Sequence, residues 1–136
     1  NVFYIPSKNR HLVQQGKPGE YTFVPGTVTA YKRMYHAQLM SISTAWSVYQ
    51  DQLSAGIAKE VARMCLPLSI YSTAYVTCNP RSMMSFLSLR TKYEDSMFPS
   101  HPQWEINQVA NQMETHFRAL FPSTHAAFHN NGRVCP

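Results

Sequence analysis

The sequence predicts an α+β fold, and three observations carry that prediction. Apolar residues recur at helical spacing over 29–53, 57–66, 83–87 and 106–120. Residues 70–78 instead alternate with a period of two and are rich in β-branched and aromatic side chains. Punctuation falls between these stretches: Ser54-Ala55-Gly56, Pro67, Asn79-Pro80 and Pro122 stand where helices start or stop. At 136 residues, 44% of them hydrophobic, the chain reads as one domain with enough apolar surface for a core.

Taken in order, 1–27 reads as an irregular loop segment. Gly16-Lys17-Pro18-Gly19 and Pro25-Gly26 are turn signals, and Tyr21–Val24 between them is at most a short strand. A long helix follows over about 29–53. Tyr31, Tyr35, Leu39, Ile42, Trp46, Tyr49 and Leu53 form its stripe, a pattern that reads as core, and Gly56 supplies a left-handed cap. A second helix over 57–66 halts at Pro67, with Ile57, Val61, Met64 and Cys65 inward. Lys59, Glu60 and Arg63 fall on its other side, so on pattern alone Arg63 is a solvated helix residue.

The strand, placed at 69–78, stops at Asn79-Pro80, where Asn is a preferred N-cap and Pro suits the first helical position. In the helix that follows, Arg81, Ser82, Ser85 and Ser88 gather on a polar side, while Met83, Met84, Phe86 and Leu87 cover the other. Arg90 leaves from the apolar side at the last turn. There it snorkels, satisfies the final carbonyls, or meets a polar or anionic ligand. Residues 91–100 form a loop, and Ser100-His101-Pro102 opens a last helix whose stripe ends at Pro122. The tail from His125 is weakly determined and is expected to fray. Helices and strand together span 28–128, leaving 129–136 as tail. One strand cannot make a sheet by itself, so its partners are expected upstream, in weakly signalled segments, or in another subunit. The start at Asn1, in an extended Val-Phe-Tyr-Ile-Pro run, agrees with an incomplete chain.

Net charge is +5, which suits an anionic partner: a phosphorylated metabolite, a cofactor or nucleic acid. The basic residues are scattered, with no basic arm and no zinc-finger spacing. Cys65, Cys78 and Cys135 form no Cys-x-x-Cys pair, which points to reduced thiols and a cytoplasmic protein, with Cys65 and Cys78 in the core. The six histidines, His101 among them, never take the His-Glu-x-x-His spacing, and no metal is expected. No apolar run is long enough to cross a bilayer, so no membrane partner is expected.

Three segments then carry a resemblance. Ala62-Arg63-Met64-Cys65-Leu66-Pro67, Asn79-Pro80-Arg81-Ser82-Met83-Met84-Ser85-Phe86-Leu87-Ser88-Leu89-Arg90 and His101-Pro102-Gln103-Trp104-Glu105-Ile106 stand in an order and spacing that resembles the C-terminal half of the flavin-dependent thymidylate synthases. The resemblance implies long helices packed on a mostly antiparallel sheet, and a homotetramer with active sites shared between subunits. It implies reductive methylation of dUMP to dTMP, with methylenetetrahydrofolate as carbon donor and FAD, reduced by NADPH, as hydride source.

It also assigns roles. Arg63 matches an arginine that binds dUMP, against its solvated reading. Asn79, Pro80 and Arg81 match a flavin-binding segment, and backbone N–H groups at a helix start favour such a partner. Arg90 matches the catalytic arginine that contacts the uracil ring and promotes ionisation at N3; a guanidinium in a water-excluded site stabilises that charge well. His101 matches a histidine near the flavin. Ser85 stands where many members carry a flavin-contacting Asn. The family's Arg-His-Arg motif, with Ser seven residues on, is absent, and Arg10-His11-Leu12 does not satisfy it. The chain alone is therefore expected to be inactive.

Two other readings compete: a small basic helical module that binds nucleic acid, and a non-catalytic scaffold fragment. Under the enzyme reading no cysteine acts as nucleophile. Turnover assays of Cys65→Ala and Cys78→Ala in the full-length protein should then stay close to the parent, while Arg90→Ala should abolish activity. A dead Cys65→Ala protein that still folds and binds FAD would contradict the assignment.

Overall fold

The structure, a computed structural model, describes residues 2–135. They form two compact units, one of residues 2–16 and 22–74, the other of 17–21 and 75–135.

In the first unit, β1 (Val13–Gln15) pairs antiparallel with β2 (Thr22–Val24), Gln14 lying opposite Phe23. The segment expected to be irregular therefore contains a hairpin. Arg10 braces it: its guanidinium lies 4.9 Å from the centre of the Phe23 ring. The long helix α1 (Val28–Ser54) matches expectation to within a residue at each end. Thr27 caps it, its hydroxyl accepting from the Ala30 N–H at 3.1 Å. Beyond the last turn the Gly56 N–H donates to Leu53 O, with Gly56 at φ +79°, a conformation that favours glycine.

The aromatic stripe of α1 is less covered than a core stripe. Ile42 is buried, Tyr31, Trp46, Tyr49 and Leu53 are half-buried, and Tyr35 and Leu39 are exposed. Phe3 covers part of it, meeting Trp46 edge-on at 5.7 Å. The second helix is shorter than expected: α2 (Lys59–Ala62) tightens into a 3₁₀ turn, Arg63–Cys65. Its start at Ala58 has no side-chain cap, and Pro67 stops any continuation.

The expected strand at 69–78 does not form among the described residues. Phe3 and Ile70 make a single antiparallel bridge, in which Tyr4 N–H donates to Ser69 O and Tyr71 N–H to Val2 O. Residues 71–79 then run without strand or helix, all of them exposed. A strand needs a partner for its N–H and C=O groups, and beyond Val2–Tyr4 no described segment offers one. Cys78, expected in the core, is accordingly exposed, whereas Cys65 is half-buried and its thiol donates to Ala62 O at 3.2 Å.

The second unit is helical, with α3 (Pro80–Arg90), α4 (Trp104–Leu120) and α5 (Pro122–Asn130). Asn79 caps α3 as expected, its side-chain oxygen accepting from the Ser82 N–H at 2.9 Å. α4 starts after Pro102, at Trp104, rather than at Ser100–Pro102. α3 and α5 both pack on α4. Met84 and Leu87 of α3, Ala110 and Phe117 of α4 and Phe128 of α5 make the core, with Met83, Phe86 and Cys135 against it.

The tail expected to fray is ordered through Cys135. Phe121 leaves helical geometry (φ −133°, ψ 60°) and Pro122 restarts the chain as α5. Beyond it Gly132 and Arg133 both adopt positive φ, +63° and +60°. The Met97 N–H donates to Gly132 O, and a Cβ on Gly132 would stand 3.0 Å from that of Met97.

Leu87 is 0% exposed, whereas Leu120 is 73% exposed. Leu87→Ala should cost about 2–5 kcal/mol in denaturant unfolding, and Leu120→Ala well under about 1 kcal/mol. Equal losses at the two positions would contradict this core.

Candidate functional site

Of the residues singled out from the sequence, all but Arg63 lie in the second unit. Asn79, Pro80, Arg81 and Ser85 come together at the start of α3. Ser85 stands four positions after Arg81, which puts both on one helix face, and both are exposed. Pro80 has no N–H and Asn79 takes that of Ser82, so the Arg81 N–H has no acceptor among the described residues. The first turn carries no acidic side chain. This end of α3 thus presents a polar, electropositive surface.

Arg90 does not join that cluster. Nine residues on from Arg81, it lies about 14 Å along the axis and on the opposite side of the helix. Its side chain is exposed, and among the described residues its hydrogen bond is a long one, 3.4 Å to Leu89 O. That contact matches the capping alternative for an arginine at a helix end, and it leaves most of the guanidinium's donors unused. His101 is exposed in the loop before α4. Arg63 lies in the first unit, exposed at the 3₁₀ turn after α2, which agrees with its solvated reading.

A second group of polar residues was not picked out from the sequence. Arg133, 3% exposed, donates from Nη1 to Glu114 Oε1 at 2.6 Å and from Nη2 to Glu114 Oε2 at 2.9 Å, a two-pronged pair. Nη2 also donates to Thr91 Oγ1 at 2.7 Å, and Nη1 lies 3.2 Å from His129 Nε2, which must accept. The guanidinium sits between the Tyr93 and Phe128 rings, 4.8 Å from each centre. His125 Nε2 donates to Glu114 Oε1 at 2.9 Å. Glu114, His125 and His129 bring ligand-type atoms within 4.8 Å of one another, but Arg133 already neutralises the carboxylate and occupies both its oxygens.

Burial alone would raise the pKa of Glu114. Hydrogen bonds from Arg133 and His125, with their charges, outweigh that and hold the carboxyl below its ordinary value of 4.5. Burial lowers His129, and the charges of Arg133 and His125 lower it further against the opposing pull of Glu114, to below 6.5. The only sequence signal for this group was the four-residue spacing of His125 and His129, which is too common to be informative.

Residues 2–123 match the family described as thymidylate synthase complementing protein. The chain belongs to that family. Among its relatives is the flavin-dependent thymidylate synthase of Streptomyces coelicolor, 50% identical over 135 residues, which are 99% of this chain and 55% of the relative. That of Tropheryma whipplei (strain TW08/27) is 49% identical over 135 residues, again 99% of this chain and 56% of the relative. The crystal structure of a UMP/dUMP methylase, PolB from Streptomyces cacaoi, bound with 5-Br UMP, superposes with a TM-score of 0.92 at 47% identity. It covers 98% of this chain and 59% of that one. The chain thus spans about half the length of the curated relatives it matches.

Both pKa shifts give stability the same pH dependence. His129 is harder to protonate in the fold than in the unfolded chain, so stability should begin to fall as pH drops below 6.5. The lowered Glu114 adds stability that is present above 4.5 and lost as pH falls from there through its folded value. Thermal melts from pH 8 down to pH 3 should show both losses; Glu114→Gln, less stable throughout because Arg133 loses its counter-charge, should lack the second. A parent protein that grows more stable on acidification would refute the arrangement.

Proposed function

We propose that this chain is the C-terminal portion of a flavin-dependent thymidylate synthase domain that methylates dUMP to dTMP. The observation that carries the reading is 50% identity to such an enzyme across 135 of 136 residues, spanning every segment in which the site residues lie. Methylenetetrahydrofolate supplies the carbon, and NADPH the reducing equivalents. FAD, when bound, passes those equivalents on as hydride.

The residues fit these ligands. Asn79, Pro80, Arg81 and Ser85 form the flavin-facing group, supported by an Arg81 N–H that has no acceptor among the described residues and by the electropositive start of α3. His101 lies in the loop after α3 and is the other flavin-side residue. Ser85 brings one hydroxyl where a longer amide is usual in the family. Arg63 and Arg90 hold dUMP, and their exposed guanidiniums are available to a phosphate and to a pyrimidine carbonyl. Arg90 stabilises charge developing on the ring. Its long contact to Leu89 O is weak enough to give way to a nucleotide.

The rest of the domain lies upstream and brings the Arg-His-Arg motif that this chain lacks, so the chain alone is inactive. Long helices on a mostly antiparallel sheet, a homotetramer with shared sites and a cytoplasmic location complete the reading. The exposed Val28 and Met40 of α1, and the exposed Leu68, Tyr75 and Val76, support an assembly that covers them.

The visible absorption of the full-length protein tests the proposal. FAD should bind and its spectrum should shift when dUMP is added. Arg63→Ala should weaken dUMP binding by about 10–100-fold, the worth of one charged hydrogen bond. A protein that stays colourless after FAD is supplied would overturn the reading.

A further inference from the structure

We infer that Arg133 is a positioning residue: acting through Thr91, it sets the direction in which Arg90 leaves the end of α3 toward the nucleotide. The inference rests on the proposed role of Arg90 and extends it to a residue 43 positions later in the chain.

Thr91, the residue after Arg90, is 3% exposed and has every polar atom engaged. Its N–H and its hydroxyl both donate to Leu87 O, at 3.0 and 2.6 Å. The hydroxyl oxygen accepts from Arg133 Nη2 at 2.7 Å, and the carbonyl accepts from Ser100 Oγ at 3.1 Å. Arg133 is held in turn by both oxygens of Glu114 and by two rings. The root of the Arg90 side chain is therefore fixed, although its tip is free to engage a ligand. A long side chain loses much rotamer entropy on binding, and a fixed root reduces the number of directions it must give up.

Anchoring the tail does not by itself call for this device. Arg133 is a non-glycine residue at φ +60°, and its guanidinium is buried. Both are unfavourable, and apolar residues often replace a buried ion pair without loss of stability. An apolar side chain could pack between Tyr93 and Phe128, but it could not donate to Thr91.

The test is dUMP affinity by calorimetry on the full-length protein, for Thr91→Val, Arg90→Ala and the double variant, with thermal melts alongside. Thr91→Val should weaken dUMP binding by about tenfold, the worth of one buried hydrogen bond, but should add nothing in the Arg90→Ala background. Thr91→Ser, which keeps the hydroxyl, should bind as the parent does. Should Thr91→Val fail to fold, Arg133→Lys, which keeps the charge and loses the fork, enters the same comparison. Equal weakening in both backgrounds, or none in either, overturns the inference while leaving the role of Arg90 intact. Parent-like dUMP binding by Arg90→Ala overturns both.

Discussion

The ion pair between Arg133 and Glu114 ties together parts of the second unit that are distant in sequence. It fixes the turn after α5 against the middle of α4, and through Thr91 it reaches the Leu87 carbonyl in the last turn of α3. The pair is bidentate, stacked between two rings and almost closed to solvent, so water competes for it little. Removing either partner would leave the other charge buried without compensation, a larger loss than the pair's own net worth. The apolar core beside it, Leu87, Phe117 and Phe128, is close-packed but not directional. Direction comes from the hydrogen bonds.

The two ends of α3 differ in a way that suits different partners. Its start is capped, lacks acidic residues and keeps an N–H with no acceptor among the described residues; its end is locked by Thr91 and carries one exposed cation. Packing on α4 holds both at a set spacing. In the first unit the situation is reversed, since much of what the sequence prepares for burial is uncovered. The α1 stripe is only half-covered, and the alternating segment beyond Tyr71 has no strand partner among the described residues. Under the proposed function, upstream strands and other subunits supply that cover.

Elements that depend on neighbours in the chain were legible from the sequence. The span of α1, the Asn79 cap, the left-handed Gly56 and the sidedness of α3 each follow from local steric and hydrogen-bond rules. Family membership was legible as well, because Arg63, Asn79–Arg81 and Arg90 stand in short motifs with fixed spacing. The alternation at 70–78 misled because periodicity reports which faces a segment offers, while a strand exists only where a second backbone meets it. The tail misled in the opposite sense, as α5 carries too weak a pattern for its helix to be read.

The sequence by itself therefore determined α1 and α3 with the Asn79 and Gly56 caps, and the family, since all of these are encoded in residues a few positions apart. Tertiary structure decided which polar groups meet. Arg133 pairs with Glu114 across 19 residues and with Thr91 across 42, and no local rule links such positions. They meet because α3, α4 and α5 pack around one core, and burial then leaves a guanidinium no acceptors but those the fold brings to it.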